Sequence, residues 1–480
     1  MTCPATHWGR AWAGLTMALT FAAIASCGGG GVVGSGGTGG AVGTAVGTVG
    51  GFGSVIVDGA SFDNRSAPAI REIAPGVDIN ADVKLGQRVA LDYEAGAVAR
   101  VARVVRVDAA LAGAVANVLS PSRFSMLGQT VTVNTSAAAG PITQFGGGYS
   151  QPADVRAGDA VEVHGVLVHQ GDSASVQATR IDRLAVPPAY LRVTGLVDAL
   201  GAGNPPTLTL GALTVDTTSA AVLPAGTALA TGQAVTVLAL PATLTSPAAG
   251  TWRLQAAQVR VRASRGGGLD DYLSGSVAHA DPLAKTFALG SQLVNYAAAT
   301  FVPATATLAN GQYVQVRGKV GIDGVLVAAS VEIRDAASDS AAQLRGNIIG
   351  YVRATGTFSV RGVAVDASGV SVQGCPATGL AEGLYVEVGG TLSSTGVVAS
   401  TVHCEDEPSN AQVEREGVAS ALDAAAGSFS LALDQGTVVS VKWTSTTYFG
   451  DLTPQTLAGT KVKVEGTLVG GVLMASKITR

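Results

Sequence analysis

Four cysteines and five histidines are the residues of this 480-residue chain best suited to chemistry. Cys3 and Cys27 lie in the first 27 residues, and Cys375 and Cys404 lie 29 positions apart near the other end. That second pair has three readings. A disulfide would close a loop worth ~3.6 kcal/mol in chain entropy. A thiol–imidazole pair would join Cys404 to His403, but neighbours along a strand point to opposite faces. A metal site would draw on Cys375, Cys404, His403 and Glu405, with His403 and Glu405 the weak candidates, since no Cys-x-x-Cys or His-x-x-x-His spacing supports it. The disulfide is the expected outcome. His164 and His169 flank Gly165-Val166-Leu167-Val168, and with His279 they read as surface groups that have no fixed acidic partner. General acid–base catalysis needs a titrating group held near its proton, and no such pair is legible. There is no Gly-x-Ser-x-Gly elbow and no phosphate loop with a following Lys-Ser/Thr. No catalytic residue, cofactor or metal is assigned on these grounds, and the chain reads as non-enzymatic.

The first residues explain the other cysteines. Ala11 to Ser26 form an apolar run, too short for a membrane-spanning helix but long enough for the core of an export signal. It ends in Ile24-Ala25-Ser26-Cys27, which resembles a bacterial lipobox. The resemblance implies that residues 1–26 are a signal peptide and that Cys27 carries the lipid. No acid follows Cys27, which in the lipoproteins it resembles marks an outer-membrane fate, on the periplasmic or the surface-facing side. An exported compartment also permits the disulfide. Residues 27–51 are nearly all Gly, Ser, Thr, Ala and Val, and read as a flexible Gly-rich linker; a glycine-rich strand is the alternative.

These residues have to be carried by something, and the composition narrows it. Lys and Arg number 30 against 34 Asp and Glu, a net charge of −4, so no basic excess is present to hold nucleic acid. Apolar residues make up 47% of the chain, too many for charged disorder, and 64 glycines without a three-residue period exclude collagen.

A repeat then organises the chain. Six segments carry a glycine followed by alternating valines: Gly86-Gln87-Arg88-Val89, Gly158-Asp159-Ala160-Val161, Gly232-Gln233-Ala234-Val235, Gly311-Gln312-Tyr313-Val314, Gly383-Leu384-Tyr385-Val386 and Gly459-Thr460-Lys461-Val462. Most end in a second glycine, as at Gly165, Gly318, Gly389 and Gly466. The first glycine suits a turn with positive φ, and the Val-x-Val that follows puts two valines on one face. A hairpin partner follows, such as Ala475-Ser476-Lys477-Ile478, and a Gly-x-Val strand precedes. The opening glycines Gly113, Gly195, Gly275, Gly346 and Gly417 step by 82, 80, 71 and 71 residues. Short strands without helical stretches, in units this small, are best buried by closing into barrels. The expected fold class is all-β: tandem small five- to six-stranded, OB-like barrel modules, strung as beads behind a signal and a tether. Module 1 spans 52–109, module 2 110–187, module 3 190–263, module 4 270–336, module 5 341–404 and module 6 411–480.

The early Gly-x-Val, the central Gly-x-x-Val-x-Val-x-Gly and the final Ala-x-x-Ile together resemble the DUF5666 family, whose function is unknown and which occurs repeated in secreted bacterial proteins. Module 3 departs, because Thr236-Val237-Leu238-Ala239 lacks the closing glycine. The resulting expectation is a membrane-anchored envelope lipoprotein serving as a modular binding or adhesion arm, attached to the membrane through its lipidated N-terminus, with an envelope protein or glycan as partner and no nucleic acid. The alternatives are a structural spacer or assembly subunit, and a secreted enzyme or ligand-binding protein with a site in one module.

Overall fold

Gly86, Gly158, Gly232, Gly311, Gly383 and Gly459 all adopt positive φ, between 77° and 89°. Each also donates its backbone N–H to a carbonyl in, or one residue past, its own module's first strand: Val49, Val115, Val197, Val277, Ile348 and Ala419, at 2.8–2.9 Å. The repeated glycine is therefore a latch that pins the entry to the fourth strand against the first. A side chain at that φ would be strained, which is why the position reads Gly six times. These observations come from a computed structural model that describes residues 41–480 except 97–98, 137–139, 171–172, 249, 263–267, 322, 409 and 434–435. The signal, Cys27 and residues 28–40 lie outside the described residues.

Module 6 shows how a copy closes. Its first strand, Gln412–Asp423, pairs antiparallel with Ser428–Leu433, and that strand with Val438–Lys442. Val438–Lys442 then runs parallel to the last strand, Val472–Thr479, which pairs antiparallel with Lys461–Val469, and this returns to the first strand. The barrel is closed in the order 1-2-3-5-4, the five-stranded OB-like arrangement. Val462, Val464, Leu431, Val441, Leu473 and Ile478 fill it. The closing glycine of the motif has its own cause. Strands four and five shift register between Glu465 and Gly466, and a Cβ on Gly466 would stand 2.1 Å from the Met474 carbonyl oxygen. Modules 2, 4 and 5 carry the same shift at Gly165, Gly318 and Gly390. Module 3, without that glycine, pairs Val235–Leu238 with Gln258–Val261 without a shift. Where two backbones crowd together at the bulge, a residue without Cβ fits; module 1 makes its shift between Asp92 and Tyr93 without a glycine.

Period-two alternation predicts which of two neighbours matters. Val464 is fully buried, while the side chain of Lys463 is 38% exposed, 3.9 Å from Glu416. Val464→Ala is expected to cost roughly 1–3 kcal/mol and Lys463→Ala under about 0.5 kcal/mol. Urea midpoints of the two variants decide it, and equal losses would contradict the assigned faces.

The chain is all-β in barrels, but the beads are tied together. Residues 42–51, expected as flexible linker, belong to a strand, Val42–Phe52. It is the first strand of module 1, antiparallel to Arg88–Ala95. It also runs parallel to module 4 through Ala45–Tyr272 and Val46–Leu273, and to module 5 through Gly51–Gln343 and Phe52–Leu344. Modules 2 and 3 join through an antiparallel pairing instead, Leu111 opposite Val193. Glycine serves close approach here rather than flexibility. A Cβ on Gly43 would sit 2.5 Å from the Tyr93 ring, on Gly47 2.3 Å from Asp58 Oδ2, and on Gly51 2.2 Å from the Gln343 carbonyl oxygen. Modules 1 and 5 share one core, modules 2 and 3 another. Among the described residues no helix is long and apolar enough to cross a membrane.

Candidate functional site

Cys375 and Cys404 lie with their sulfur atoms 2.04 Å apart. Bonded to each other, they leave no thiolate for His403. The His403 side chain is 52% exposed, its Nδ1 4.0 Å from Glu405. Among the described residues no group of three His, Cys, Asp or Glu side chains is placed to hold a metal.

His164 departs from its surface reading. It is fully buried between modules 1 and 2, where its Nδ1 accepts the Arg88 backbone N–H at 3.3 Å and its Nε2 lies 3.1 Å from Glu162 Oε1. With both ring nitrogens engaged, the imidazole is structural rather than a free base. Burial works to raise Glu162, but the His164 hydrogen bond and the Arg71 and Arg192 cations overcome it and hold the carboxyl at about 2. His279 is exposed, and the side chain of His169 lies outside the described residues.

Charges that alternation places on the outer faces of the barrels meet at the joints between them. Arg71 of module 1 pairs with Glu162 of module 2 at 2.8 Å, and Glu72 with Arg260 of module 3 at 2.8 Å. Asp58, at the tip of a module 1 hairpin, accepts from the Tyr313 hydroxyl of module 4 at 3.0 Å and from the Thr48 backbone N–H at 2.8 Å, with Arg88 3.8 Å away. Hairpin tips dock in this way elsewhere. Gln129 of module 2 donates to the Leu210 carbonyl of module 3 at 2.6 Å, and Arg361 of module 5 reaches Gln412 and Glu465 of module 6.

In the acidic stretch between modules 5 and 6 Asp406 is exposed, but the carboxylates beside it are engaged. Glu407 accepts from Arg415 and from Asn347, and Glu414 is buried opposite Glu465, with its Oε2 lacking a protein partner. Burial, then the Glu465 charge, pushes Glu414 up to about 7 from an ordinary 4.5. Burial also works to raise Glu465, but the Lys477 and Arg361 cations hold it low. A carboxyl whose folded value is raised stabilises the fold fully below its unfolded value, and that stabilisation is lost as pH climbs through the folded value. The contribution of Glu414 is therefore complete below about pH 4.5 and gone above about pH 7. Glu414→Gln keeps the neutral form throughout. It is expected to be more stable than the parent by about 2 kcal/mol at pH 8 and nearly equal to it at pH 4.5. Urea midpoints at the two pH values test this; a gap that does not change with pH would contradict it.

Two clefts open at the joints. One, of about 170 Å³, is lined by Thr48, Asp58, Arg334, Ser338 and Asp339. Its charges are largely spent on each other: Arg334 Nε donates to Asp339 at 3.0 Å. Burial, opposed by Arg334, raises Asp339 to about 7. The other, of about 230 Å³, lies where modules 1, 2, 5 and 6 meet. Lys84, Arg180, Arg361 and Lys477 line it, with Asp82 the carboxylate on the wall. Arg180 is held by Asp182 at 2.5 and 2.7 Å and by the Leu85 carbonyl at 3.0 Å. Lys477 lies 2.9 Å from Asp82 and 2.8 Å from Glu465; burial works against its charge, but these carboxylates more than offset it and raise its pKa. Arg361 stands over the Phe52 ring at 5.5 Å, and its buried Nε has no protein acceptor. Lys84 reaches no carboxylate closer than Asp182 at 4.0 Å. Four cations around an open space can hold an anion. The motif search missed them because they come from modules far apart in sequence; Arg361 offered one signal, as a cation in an Arg-Gly hairpin turn at φ 52°.

Residues 112–182, 274–332 and 416–479 match the family described as a domain of unknown function, DUF5666. These segments fall in modules 2, 4 and 6, and the same glycine latch recurs in modules 1, 3 and 5. No curated protein matches the chain.

Proposed function

We propose that this chain, a repeat protein carrying DUF5666 domains, is a lipid-anchored, non-catalytic binding protein of the bacterial envelope. The observation that carries the binding role is the cleft between modules 1, 2, 5 and 6, where cations from separate modules surround one space. Shared strands and interlocked hairpins fix the backbones that carry those cations relative to one another, which favours binding by lowering the ordering cost. The anchor rests on Ile24-Ala25-Ser26-Cys27. A structural role as a spacer is the second reading, supported by the strand Val42–Phe52, which stitches three modules together.

Both halves of the proposal can be tested separately. Cys27→Ser is expected to leave the protein unprocessed or released from membranes, as read by mass and fractionation; membrane association and mass like those of the parent would remove the anchor. Thr395 is exposed at the rim of the cleft, so Thr395→Trp fills the space without touching the barrel cores. Immobilised parent protein is expected to retain envelope protein or glycan that the Thr395→Trp variant loses. Equal retention would remove the cleft from the function.

A further inference from the structure

We infer that the cleft between modules 1, 2, 5 and 6 binds an acidic sugar, a uronate or sugar phosphate of monosaccharide size, through its carboxylate or phosphate. This rests on the binding reading above and names the ligand class for the same site.

The charge count comes first. Lys84, Arg180, Arg361 and Lys477 face the cleft, and Asp82, Asp182 and Glu465 share them. Glu414 stands opposite Glu465 and keeps its proton up to about pH 7. At pH 6 one positive charge is therefore left over at this place, in a chain whose net charge is −4. An anion is the ligand that excess favours.

The donors come second. The Lys84 side chain is 43% exposed, and its nearest carboxylate is at the outer limit of an ion pair, so its ammonium can turn toward a ligand. Arg361 lines the same space, its terminal nitrogens held by Gln412 and Glu465. An anionic oxygen is the strongest acceptor for the Lys84 ammonium.

Size and lining decide between a bare ion and a sugar. A space of about 230 Å³ far exceeds what a phosphate needs and suits one sugar ring. Val83 and Phe145 give it apolar wall for the C–H face of a ring. Thr395 and the oxygen of Gln144, whose amide nitrogen is already given to the Ser393 carbonyl, offer partners for hydroxyl groups.

The test is calorimetric titration of the full chain at pH 6 and low salt with glucuronate, glucose 6-phosphate, glucose and inorganic phosphate. Both acidic sugars are expected to bind at least ~10-fold more tightly than glucose or inorganic phosphate. Lys84→Gln is expected to weaken them about 10-fold, Thr395→Trp to abolish binding, and Lys319→Gln, an exposed lysine of module 4, to change nothing. The inference is overturned if glucose matches glucuronate, if inorganic phosphate matches the sugars, if Lys84→Gln behaves like Lys319→Gln, or if millimolar acidic sugar gives no binding. In that last case, envelope material still lost by Thr395→Trp would leave the binding reading standing and remove only the ligand class.

Discussion

Gly51→Ala is expected to destabilise the protein by about 3 kcal/mol, while Gly50→Ala, one residue away, changes stability by less than about 0.5 kcal/mol. The two glycines share a strand and differ in what faces them. A Cβ on Gly51 would stand 2.2 Å from the Gln343 carbonyl oxygen of module 5, and that oxygen is backbone in a strand bonded on both sides, so it cannot swing away. A Cβ on Gly50 would meet nothing closer than 3.8 Å. Alanine there also restricts the unfolded chain slightly, which works in its favour. Urea unfolding followed by circular dichroism is the measurement. If both substitutions cost the same, the strand is not wedged between modules 1 and 5.

Asp58→Ala is expected to cost about 3–5 kcal/mol, because it strips the carboxylate from a buried cluster and leaves the charge of Arg88 behind. Asp58 has φ 45°, in a hairpin turn with Gly59, and its side chain turns inward to accept from Thr48 and Tyr313. Arg88 also donates to the Tyr313 hydroxyl at 3.0 Å and to the Ser274 carbonyl at 2.7 Å. Asp58→Asn keeps the shape and an acceptor oxygen and suits positive φ, so it should lose less. Because Tyr313 loses its acceptor in Asp58→Ala, adding Tyr313→Phe should cost little more than Asp58→Ala alone. Thermal or urea midpoints of the two single variants and the double variant give the coupling. Simple additivity would show that the joint between modules 1 and 4 does not depend on this cluster.

The parts legible in the sequence were those governed by local geometry. A glycine needed for positive φ announces itself at Gly158 or Gly459 whatever surrounds it, and valines two apart share a face at Val462 and Val464 under any packing. What escaped was set by neighbours. Glycine richness reads as flexibility until it is known that Tyr93, Asp58 and Gln343 press against Gly43, Gly47 and Gly51. Alternation puts His164, Glu414 and Glu465 on the outer faces of their barrels, but it carries no information on whether another barrel covers that face. The cleft was beyond reach for the same reason: Lys84, Arg180, Arg361 and Lys477 are assembled only when modules 1, 2, 5 and 6 meet.

The strand Val42–Phe52 also sets the order in which the molecule can be completed. The Thr44 backbone N–H donates to the Asp271 carboxylate, 227 positions further along the chain, and Phe52 lies beside Leu344. Such long-range pairing closes slowly. A chain emerging N-terminus first can fold module 1 early, yet one flank of its first strand stays unpaired until modules 4 and 5 arrive. For that interval a buried strand behaves as an open edge, the feature through which chains join to one another. The glycines that let three modules crowd against one strand also leave it with little side chain to guard that edge, so the nascent chain is most exposed to self-association before residue 271 has been made.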